Sequence, residues 1–285
     1  MFDNITMRLN VEPLLLLALK EDINAGDLSA SAVIPPSDSG RCSLICKEDG
    51  ILCGLDIFKR VFTLLDESIT FHTFASEGEA IYKGQKITDI EGNMASILSA
   101  ERTALNYLQR MSGIATYTNK MTALLEGSHI KLVDTRKTTP NNRIFEKYAV
   151  KTGGACNHRF NLSTGVMLKD NHISAAGSIK KAVELTRNSI PFVHKIEVEV
   201  ENIDMVKEAV SAGADVIMLD NMSISDMKKA IKLIDSRAEI EISGNVNEKT
   251  LPKLKELGAD YISMGALTHS APILDFSLKN LTPIK

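Results

Sequence analysis

Residues 212–220 read AGADVIMLD and residues 257–265 read LGADYISMG, so a similar phrase comes just before two short apolar runs. The sequence contains further short apolar runs, at 131–134, 166–169, 195–200 and 239–243. Amphipathic helical patterns separate most of these runs, for instance at 204–212, 225–234 and 248–257. Because strands that alternate with helices form parallel sheets, this half of the chain predicts a repeated strand–helix unit.

Polar or small residues lie near the ends of the last four predicted strands. They are Glu199, Asp220, Ser243 and Gly265, which follow one another at intervals of 21, 23 and 22 residues. An α/β barrel builds its active site from several strand ends, whereas an open doubly wound sheet binds its ligand where the strand order reverses. No G-x-G-x-x-G phrase opens a helix, so the dinucleotide fingerprint of the open form is missing. We therefore predict a barrel domain at residues 114–270.

The first 113 residues predict a different domain. Helical spacing occurs at 11–20, 57–65 and 95–111, and strand-like alternation at 41–47, 50–53, 69–74 and 81–90. Strands and helices that do not alternate strictly are typical of an α+β sandwich. Residues 271–285 are left open, because Pro272 permits a change of direction that would return them to this first domain.

Composition excludes several classes of protein. The chain has 285 residues, 44% of them apolar, and a formal net charge of −3, whereas nucleic-acid binding favours a basic excess. No apolar run is long enough to span a bilayer, and the run at 14–19 is shorter than the core of a signal peptide. The four cysteines lack the paired spacing of a zinc site or a disulfide scaffold. We expect a soluble cytoplasmic protein that binds neither nucleic acid nor membranes.

The segment DTRKTTPNNR, residues 134–143, follows one of the predicted strands. It places Arg136 and Lys137 at the carboxyl end of that strand, with Thr139 as the expected N-cap of a helix and Pro140 as its first residue. A helix N-terminus attracts anions, so this junction predicts an anion site. A basic pair on a solvated loop is the competing interpretation.

More basic residues follow at neighbouring junctions. GGACNHR, residues 153–159, supplies His158 and Arg159, and MLKDNH, residues 167–172, supplies Lys169 at the end of an apolar run. Each lysine or arginine alone could be a surface residue. Together with Arg136 and Lys137 they predict a cationic floor for a small anionic ligand with carboxylates or phosphates.

Acidic residues are expected opposite these cations. In EVEVE, residues 197–201, strand alternation puts the three glutamates on one face. Burying glutamates without partners is costly, so we expect structural pairs or solvent contacts for two of them and function for Glu199. Asp220 ends the apolar run VIML. Two carboxylates at adjacent strand ends fit Mg²⁺, which binds a few protein oxygens together with substrate phosphates.

The last two junctions are SGN at 243–245 and GALTHS at 265–270. Small residues let backbone N–H groups approach a phosphate, and the final loops of a barrel commonly bind one. We therefore predict phosphate binding there. Arg102, on the predicted helix at 95–111, reads from spacing alone as a helix-surface residue.

Taken in order, DTRKTTP, NHR, LKDNH, EVEVE, LDN, SGN and GALTHS resemble the quinolinate phosphoribosyltransferase family, also called nicotinate-nucleotide pyrophosphorylase (carboxylating). The resemblance extends to EDINAGDLSA at 21–30 and AERTALNYLQRMSGIAT at 100–116. It implies an N-terminal open α/β sandwich and a C-terminal seven-stranded α/β barrel. It also implies a homodimer with active sites at the subunit interface.

The resemblance implies a role for each matching residue. The pocket for the pyridine dicarboxylate would consist of Arg136, Lys137, His158, Arg159 and Lys169, joined by Arg102 from the partner subunit. Glu199 and Asp220 would serve the ribose and the Mg²⁺-pyrophosphate. Ser243, Gly244, Gly265 and His269 would hold the 5′-phosphate. The residues expected to act in catalysis are Lys137, Lys169, Glu199 and Asp220.

The sequence departs from the family pattern in three places. Asn141-Asn142 replaces Gly-Leu, Thr164 replaces a frequent aspartate, and Asn245 replaces a second glycine beside the predicted phosphate site. A related family of molybdate-transport operons shares the TRK and HR phrases but usually lacks KDNH, so residues 169–172 favour the first family.

The implied reaction joins quinolinate to 5-phosphoribosyl-1-pyrophosphate with Mg²⁺ as cofactor. It yields nicotinate mononucleotide, pyrophosphate and CO₂, and it belongs to NAD biosynthesis. A Schiff-base lyase using Lys169 is a second possible function, although it does not explain the two carboxylates. A sensor that binds a sugar phosphate without releasing pyrophosphate is a third.

Overall fold

The computed structural model describes residues 2–284. They divide into two compact units. The first unit contains residues 2–119, 139–154 and 271–284, and the second contains residues 120–138 and 155–270. The boundary predicted at residues 113 and 114 falls inside a long helix, Met94–Ala123, which is 12 residues longer at its C-terminal end than its predicted range.

The first unit is built on an antiparallel sheet. Its strands are β1 (Ser39–Cys46), β3 (Thr70–Thr73), β5 (Lys86–Asn93) and β12 (Phe276–Pro283), in the order β12-β1-β5-β3. Two further short strands, β2 (Gly50–Ile51) and β4 (Ala80–Ile81), pair with each other. The strand β12 brings residues from the end of the chain to the edge of β1, where Cys46 pairs with Phe276.

Helices cover this sheet and bury its apolar side chains. They are α1 (Asn4–Thr6), α2 (Glu12–Ile23), α3 (Leu28–Val33), α4 (Leu55–Leu65), α5 (Met94–Ala123) and α6 (Arg143–Thr152), with a π-helical segment at Met7–Val11. On α4, Phe58 and Phe62 are fully buried, as is Ile87 of β5. Each such side chain contributes about 1.5–3 kcal/mol through its removal from water.

The second unit is a parallel α/β structure. Its strands are β6 (Lys131–Val133), β7 (Val166–Leu168), β8 (Ile196–Val200), β9 (Val216–Asp220), β10 (Glu239–Ser243) and β11 (Tyr261–Ser263). The helices between and after them are α7 (Asp170–Ala176), α8 (Ile179–Ser189), α9 (Ile203–Ser211), α10 (Ile224–Ile234), α11 (Leu251–Lys255) and α12 (Ala266–His269). The predicted strands are confirmed to within two residues at either end, because their apolar runs become nearly continuous buried stretches.

The strand order is β6-β11-β10-β9-β8-β7, so β7 to β11 lie side by side in chain order, as expected for strands joined through helices, whereas β6 pairs with β11. Cys156 adds a seventh position beside β6, because its N–H donates to the carbonyl of Leu132 and its carbonyl accepts from the N–H of Asp134. The predicted mixed α/β architecture is confirmed. The parallel sheet differs from the prediction in one respect, because it has six strands and a parallel bridge rather than seven full strands.

Two helix predictions were wrong in their bounds. The helix expected to begin at Pro140 begins at Arg143, because Asn141 has a φ of 64°, which an α-helix does not accommodate. It belongs to the first unit. The helix expected at 248–257 is limited to α11. Within the described residues, every helix is too short or too polar to span a membrane.

Candidate active site

A cavity of about 380 Å³ lies at the carboxyl ends of the parallel strands in the second unit. Nine of the twelve predicted site residues line it: Arg136, Lys137, His158, Arg159, Lys169, Glu199, Asp220, Ser243 and Gly244. Its other lining residues are Thr135, Met167, Met218, Asn221, Glu241, Asn245 and Ser263. Residues that are far apart in sequence therefore converge, because parallel strands bring their carboxyl ends to one edge.

Three predicted residues are not among those that line this cavity. Arg102 is exposed on α5 of the first unit. Gly265 precedes α12, and a Cβ atom on it would lie 3.0 Å from Cδ of Lys137 and 3.1 Å from Cδ2 of His269. Gly265 therefore lies between the side chain of Lys137, which lines the cavity, and the side chain of His269. The Oγ1 of Thr268 donates to the Lys137 carbonyl at 2.8 Å, which fixes the backbone there.

One side of the cavity is cationic. Arg136 and Lys137 lie on an irregular loop after β6, so the expected contribution from a helix N-terminus was wrong. Burial and the nearby charge of Arg136 lower the pKa of Arg159. Its Nη1 donates to the Gly165 carbonyl at 3.1 Å, which fixes the guanidinium. Positive charges held this close together favour an anionic ligand.

Lys169 links the cationic and acidic sides. It is the N-cap of α7, directly after β7, and its Nζ donates to Oε2 of Glu199 at 2.9 Å. The side chain of Lys169 is 43% exposed, whereas that of Glu199 is 14% exposed. A Schiff-base lysine is usually desolvated or activated by a neighbouring cation, whereas Lys169 is partly exposed and paired with a carboxylate, so this geometry disfavours the Schiff-base alternative.

The loops after β9 and β10 form the opposite wall. Asn221 Nδ2 donates to Oδ2 of Asp220 at 2.8 Å, and Asn245 Nδ2 donates to Oδ1 of Asn221 at 3.2 Å. Gly244 has a φ of 96°, and a Cβ atom on it would lie 2.2 Å from Oδ1 of Asn221. Only glycine fits this position, because Asn221 fills the space that a side chain would need and the positive φ favours glycine.

The three departures from the family pattern keep their local structure. Asn245 has a φ of 49° and Asn141 a φ of 64°, in the left-handed region that glycine favours and asparagine tolerates. The Oγ1 of Thr164 accepts the N–H groups of Phe160 and Asn161 at 2.9 and 3.1 Å. An aspartate could accept the same bonds, so each replacement is conservative in conformation.

Sequence reasoning predicted His158 as a site residue but missed that it forms a cluster with two buried glutamates, Glu197 and Glu241. The Nε2 of His158 lies 3.1 Å from Oε2 of Glu197 and 3.3 Å from Oε2 of Glu241. Glu241 received no prediction, and the available signal was its central place in EIEIS, between two isoleucines that are buried. A glutamate in the middle of such a strand needs a partner.

The cluster holds an additional proton at neutral pH. Burial opposes a charge on His158, but its hydrogen bonds to the two carboxylates raise its pKa above the usual value. Burial also raises the pKa of Glu197. Because the Nδ1 of His158 accepts the backbone N–H of Arg159 at 2.7 Å, the protons of the cluster lie on the Nε2 and carboxylate side.

The oxygen donors at the cavity wall suit Mg²⁺. Glu199 uses Oε2 in its contact with Lys169 and Asp220 uses Oδ2 in its contact with Asn221, so each carboxylate has a second oxygen for an ion. Among residues 2–284, a group of three potential ligands occurs only in the His158 cluster. Two carboxylates fit an ion that takes its remaining ligands from water and substrate phosphates.

The chain matches two models of one protein family. The model described as "Quinolinate phosphoribosyl transferase, C-terminal domain" matches residues 114–279. The model for the N-terminal domain of the same family matches residues 27–112. Together they cover most of the chain.

Named relatives agree with this match. A Bacillus subtilis protein named "Probable nicotinate-nucleotide pyrophosphorylase [carboxylating]" is 43% identical over 90% of this chain and 89% of its own. A Nicotiana tabacum protein named "Quinolinate phosphoribosyltransferase [decarboxylating] 2b, mitochondrial" is 39% identical over 95% of this chain and 82% of its own.

Solved structures share the fold. The crystal structure of NadC from Streptococcus pyogenes has a TM-score of 0.94, with 46% identity over the full length of both chains. The nicotinate-nucleotide pyrophosphorylase structure from Francisella tularensis has a TM-score of 0.89, with 38% identity over 95% of each chain.

Proposed function

The chain belongs to the quinolinate phosphoribosyltransferase family, and we propose that the cavity of its second unit performs the reaction of that family as follows. The enzyme transfers the phosphoribosyl group of 5-phosphoribosyl-1-pyrophosphate to quinolinate and releases pyrophosphate and CO₂. The observation that carries the proposal is the placement of four cations around one cavity together with the carboxylates of Glu199 and Asp220. Such a cavity suits a dicarboxylate on one side and a sugar phosphate on the other.

The cationic side binds the two carboxylates of quinolinate. Arg136 and Arg159 suit bidentate contacts with a carboxylate, and Lys169 adds a point charge beside them. Lys137 and His158 complete this part of the wall. Fixing both carboxylates orients the pyridine nitrogen, and much of the catalysis comes from this positioning.

The acidic side binds the ribose. As the bond between ribose C1 and pyrophosphate lengthens, C1 becomes cationic, and the carboxylates of Glu199 and Asp220 stabilise that charge. Lys137, which lies beside Gly265, stabilises the charge that develops on the departing pyrophosphate. Backbone N–H groups near Ser243, Gly244 and Gly265, together with His269, hold the 5′-phosphate.

The second step is the loss of CO₂. The pyridine nitrogen forms the new bond to ribose C1 and becomes positively charged. The carboxylate at ring position 2 then leaves as CO₂, and its electron pair stays on the ring, where the charged nitrogen stabilises it. A proton then adds to that carbon and gives nicotinate mononucleotide. The ring itself is the electron sink, so the role of the protein is to hold both substrates in place.

Glu199 and Asp220 are proposed to hold Mg²⁺ together with the substrate pyrophosphate. When bound, the ion supplies positive charge that stabilises the pyrophosphate leaving group. The support for this is the donor set, two carboxylates with an oxygen each beyond their protein contacts.

We also propose that the enzyme is a homodimer in which Arg102 completes the quinolinate pocket of the partner subunit. Its exposure on α5 supports this, because an exposed arginine is available to a second chain. Quinolinate and 5-phosphoribosyl-1-pyrophosphate both carry anionic groups that suit an additional guanidinium.

We propose a cytoplasmic location for this chain. The formal net charge of −3 supports it, because it provides no basic excess for binding to anionic membrane surfaces. Fractionation of cells with an antibody against the protein tests this location, and recovery in the membrane pellet would contradict it.

The direct test of the function is an assay of the purified protein with 5-phosphoribosyl-1-pyrophosphate and Mg²⁺. Quinolinate should give equal amounts of pyrophosphate and CO₂, and nicotinate serves as the control acceptor. Pyrophosphate release with nicotinate but not with quinolinate would contradict the proposal. Binding of the phosphoribosyl donor without any pyrophosphate release would favour the sensor alternative.

A further inference from the structure

Both ring nitrogens of His158 contact other groups of the protein. Nδ1 accepts the backbone N–H of Arg159 at 2.7 Å, and Nε2 lies 3.1 and 3.3 Å from the carboxylates of Glu197 and Glu241. A nitrogen that accepts a hydrogen bond carries a lone pair, so the ring proton is on Nε2 and points towards the glutamates. This arrangement provides no ring N–H for a carboxylate of the substrate.

The same arrangement argues against a metal ion in the cluster. A metal on Nε2 would need the lone pair of that atom while the Nδ1 lone pair accepts from Arg159. The ring would then have no proton at all. Histidine that binds a metal usually donates its other ring N–H to a second group, which is the reverse of this geometry.

Three buried carboxylates fix the segment that contains His158. Glu197 is 5% exposed, Glu241 is 3% exposed and Asp134 is fully buried. Asp134 accepts the backbone N–H of His158 at 2.9 Å and the Nδ2 of Asn157 at 2.7 Å. Glu197 and Glu241 come from β8 and β10, and Asp134 directly follows β6, so these acids hold residues 157 and 158 from separate parts of the sheet.

The arrangement is costly for the fold. The Oε1 atoms of both Glu197 and Glu241 are buried and have no hydrogen-bond partner within the described structure. Burying such atoms without partners destabilises a protein, because their contacts with water are lost and not replaced. A cost of this kind is typical of positions that serve function rather than stability.

The group that benefits is Arg159, which lines the cavity. Its backbone N–H is fixed by the ring of His158, and its guanidinium by the Gly165 carbonyl at 3.1 Å. An arginine that is fixed both at its backbone and at its guanidinium keeps its orientation before the substrate arrives. Preorganisation of this kind raises affinity because less freedom is lost on binding.

We propose that His158 is a positioning residue, held by Glu197 and Glu241, which orients Arg159 towards a carboxylate of the substrate and does not itself bind that carboxylate. The inference rests on the proposed function and changes the role of one residue in it. It adds Glu197 and Glu241 to the residues on which the affinity for the dicarboxylate depends.

A double-mutant cycle tests this proposal in the full-length enzyme. The variants are His158→Gln, Arg159→Lys and the double variant, and the measurements are the quinolinate Kd by titration calorimetry and the KM of each substrate. Gln keeps an N–H donor for the glutamates but loses the acceptor for Arg159. We expect His158→Gln to raise the quinolinate Kd by about tenfold, with the KM of the phosphoribosyl donor unchanged within about twofold.

The decisive comparison is the double variant. If His158 acts through Arg159, adding His158→Gln to Arg159→Lys should change the quinolinate Kd by less than about twofold, because the positioned guanidinium is already gone. If the double variant instead raises the quinolinate Kd by the product of the two single-variant increases, His158 binds the substrate directly and the proposal is wrong. An equal loss of affinity for the phosphoribosyl donor would also overturn it.

Glu241→Gln provides a second cycle with Arg159→Lys, with the same expectations, should His158→Gln fail to fold in circular dichroism. The matched control is Glu239→Gln, two residues away on β10, whose carboxylate pairs with the exposed Lys195. It should leave the quinolinate Kd unchanged. If the wild-type enzyme releases pyrophosphate but the effects of the two substitutions on the quinolinate Kd multiply, only the positioning role is wrong. A wild-type enzyme that binds no quinolinate overturns the proposed function as well.

Discussion

The Nζ of Lys169 and the Oε2 of Glu199 lie 2.9 Å apart, across the neighbouring strand ends of β7 and β8. This ion pair is where the cationic half of the cavity meets its acidic half. Each group limits the position of the other, so the proposed quinolinate and ribose sites are directly adjacent. A bond between the pyridine nitrogen and ribose C1 requires such proximity.

Lys169→Ala should lower kcat by about a hundredfold, because it removes a positioned charge and leaves Glu199 without its partner. Steady-state pyrophosphate release measures this. Lys195→Ala is the matched control, since Lys195 forms an ion pair with Glu239 in the same unit but does not line the cavity. Near-normal turnover of Lys169→Ala would remove this lysine from the site.

Gly244→Ala should abolish binding of the phosphoribosyl donor, because the new Cβ atom would lie 2.2 Å from Oδ1 and 2.7 Å from the backbone N of Asn221. Calorimetric titration with the donor measures the loss. Gly258→Ala is the control, because Gly258 also has a positive φ, of 74°, yet a Cβ atom there meets nothing within 4 Å. Its strain should lower stability slightly and leave binding intact. Equal binding by both variants would show that the wall adapts to a side chain.

Mixing Arg102→Ala with Lys169→Ala subunits should restore activity. In a mixed dimer, one site carries both substitutions and the other carries neither, so equal mixing should give about a quarter of wild-type activity. Each variant alone should be nearly inactive. Subunit exchange is verified with differently tagged chains, and exchange without recovery would place Arg102 in the site of its own chain.

The His158 cluster predicts a loss of stability at alkaline pH. Burial would lower the pKa of His158, but the hydrogen bonds to Glu197 and Glu241 raise it to about 10, and because the groups share protons this value describes the cluster. In the unfolded chain histidine titrates near 6.5. The folded chain therefore holds a proton that the unfolded chain releases, so this stabilisation is complete below about pH 6.5 and is lost towards pH 10.

Urea unfolding at pH 7, 8 and 9 measures this dependence. The free energy of unfolding of the wild type should fall over this range, and that of Glu241→Gln should fall less steeply because one proton acceptor is lost. Parallel curves for the two proteins would show that the cluster does not retain the proton.

Removing divalent cations with EDTA should stop pyrophosphate release, and Mg²⁺ should restore it. Asp220→Asn should raise the Mg²⁺ concentration needed for half-maximal activity, because a carboxylate binds this ion better than an amide. Asp226→Asn, at an exposed aspartate paired with Lys229 on α10, is the control. Full activity in EDTA would exclude the proposed role of Mg²⁺.

Much of the fold was predictable because its patterns are local. Short apolar or alternating runs located β8 and β9, and the polar residues near their ends, Glu199 and Asp220, line the cavity as expected. The start of α6 was not predictable from Thr139 and Pro140. The Oγ1 of Thr139 donates to Glu146 at 2.9 Å, a contact seven residues along the chain that replaces the expected cap.

The missing part of the site depends on contacts between distant residues. Glu241 lies 83 positions after His158, and no spacing rule relates a buried glutamate on β10 to a histidine after the Cys156 bridge. Pattern analysis assigned Glu197 a structural pair, and the structure supplies its partner, His158. Arg102 could be assigned a role only through the family resemblance, because its own helix gives no sign of a ligand.

The left-handed backbone at Asn245 has a consequence for recognising related enzymes. At this position the loop after β10 requires a positive φ, and Asn245 has a φ of 49°. The loop does not require a residue without a side chain there. The preceding Gly244 is different, because the adjacent Asn221 leaves no space for any Cβ atom. A search pattern that demands two consecutive glycines would therefore discard functional sequences, whereas one that admits asparagine at the second position alone would retain them.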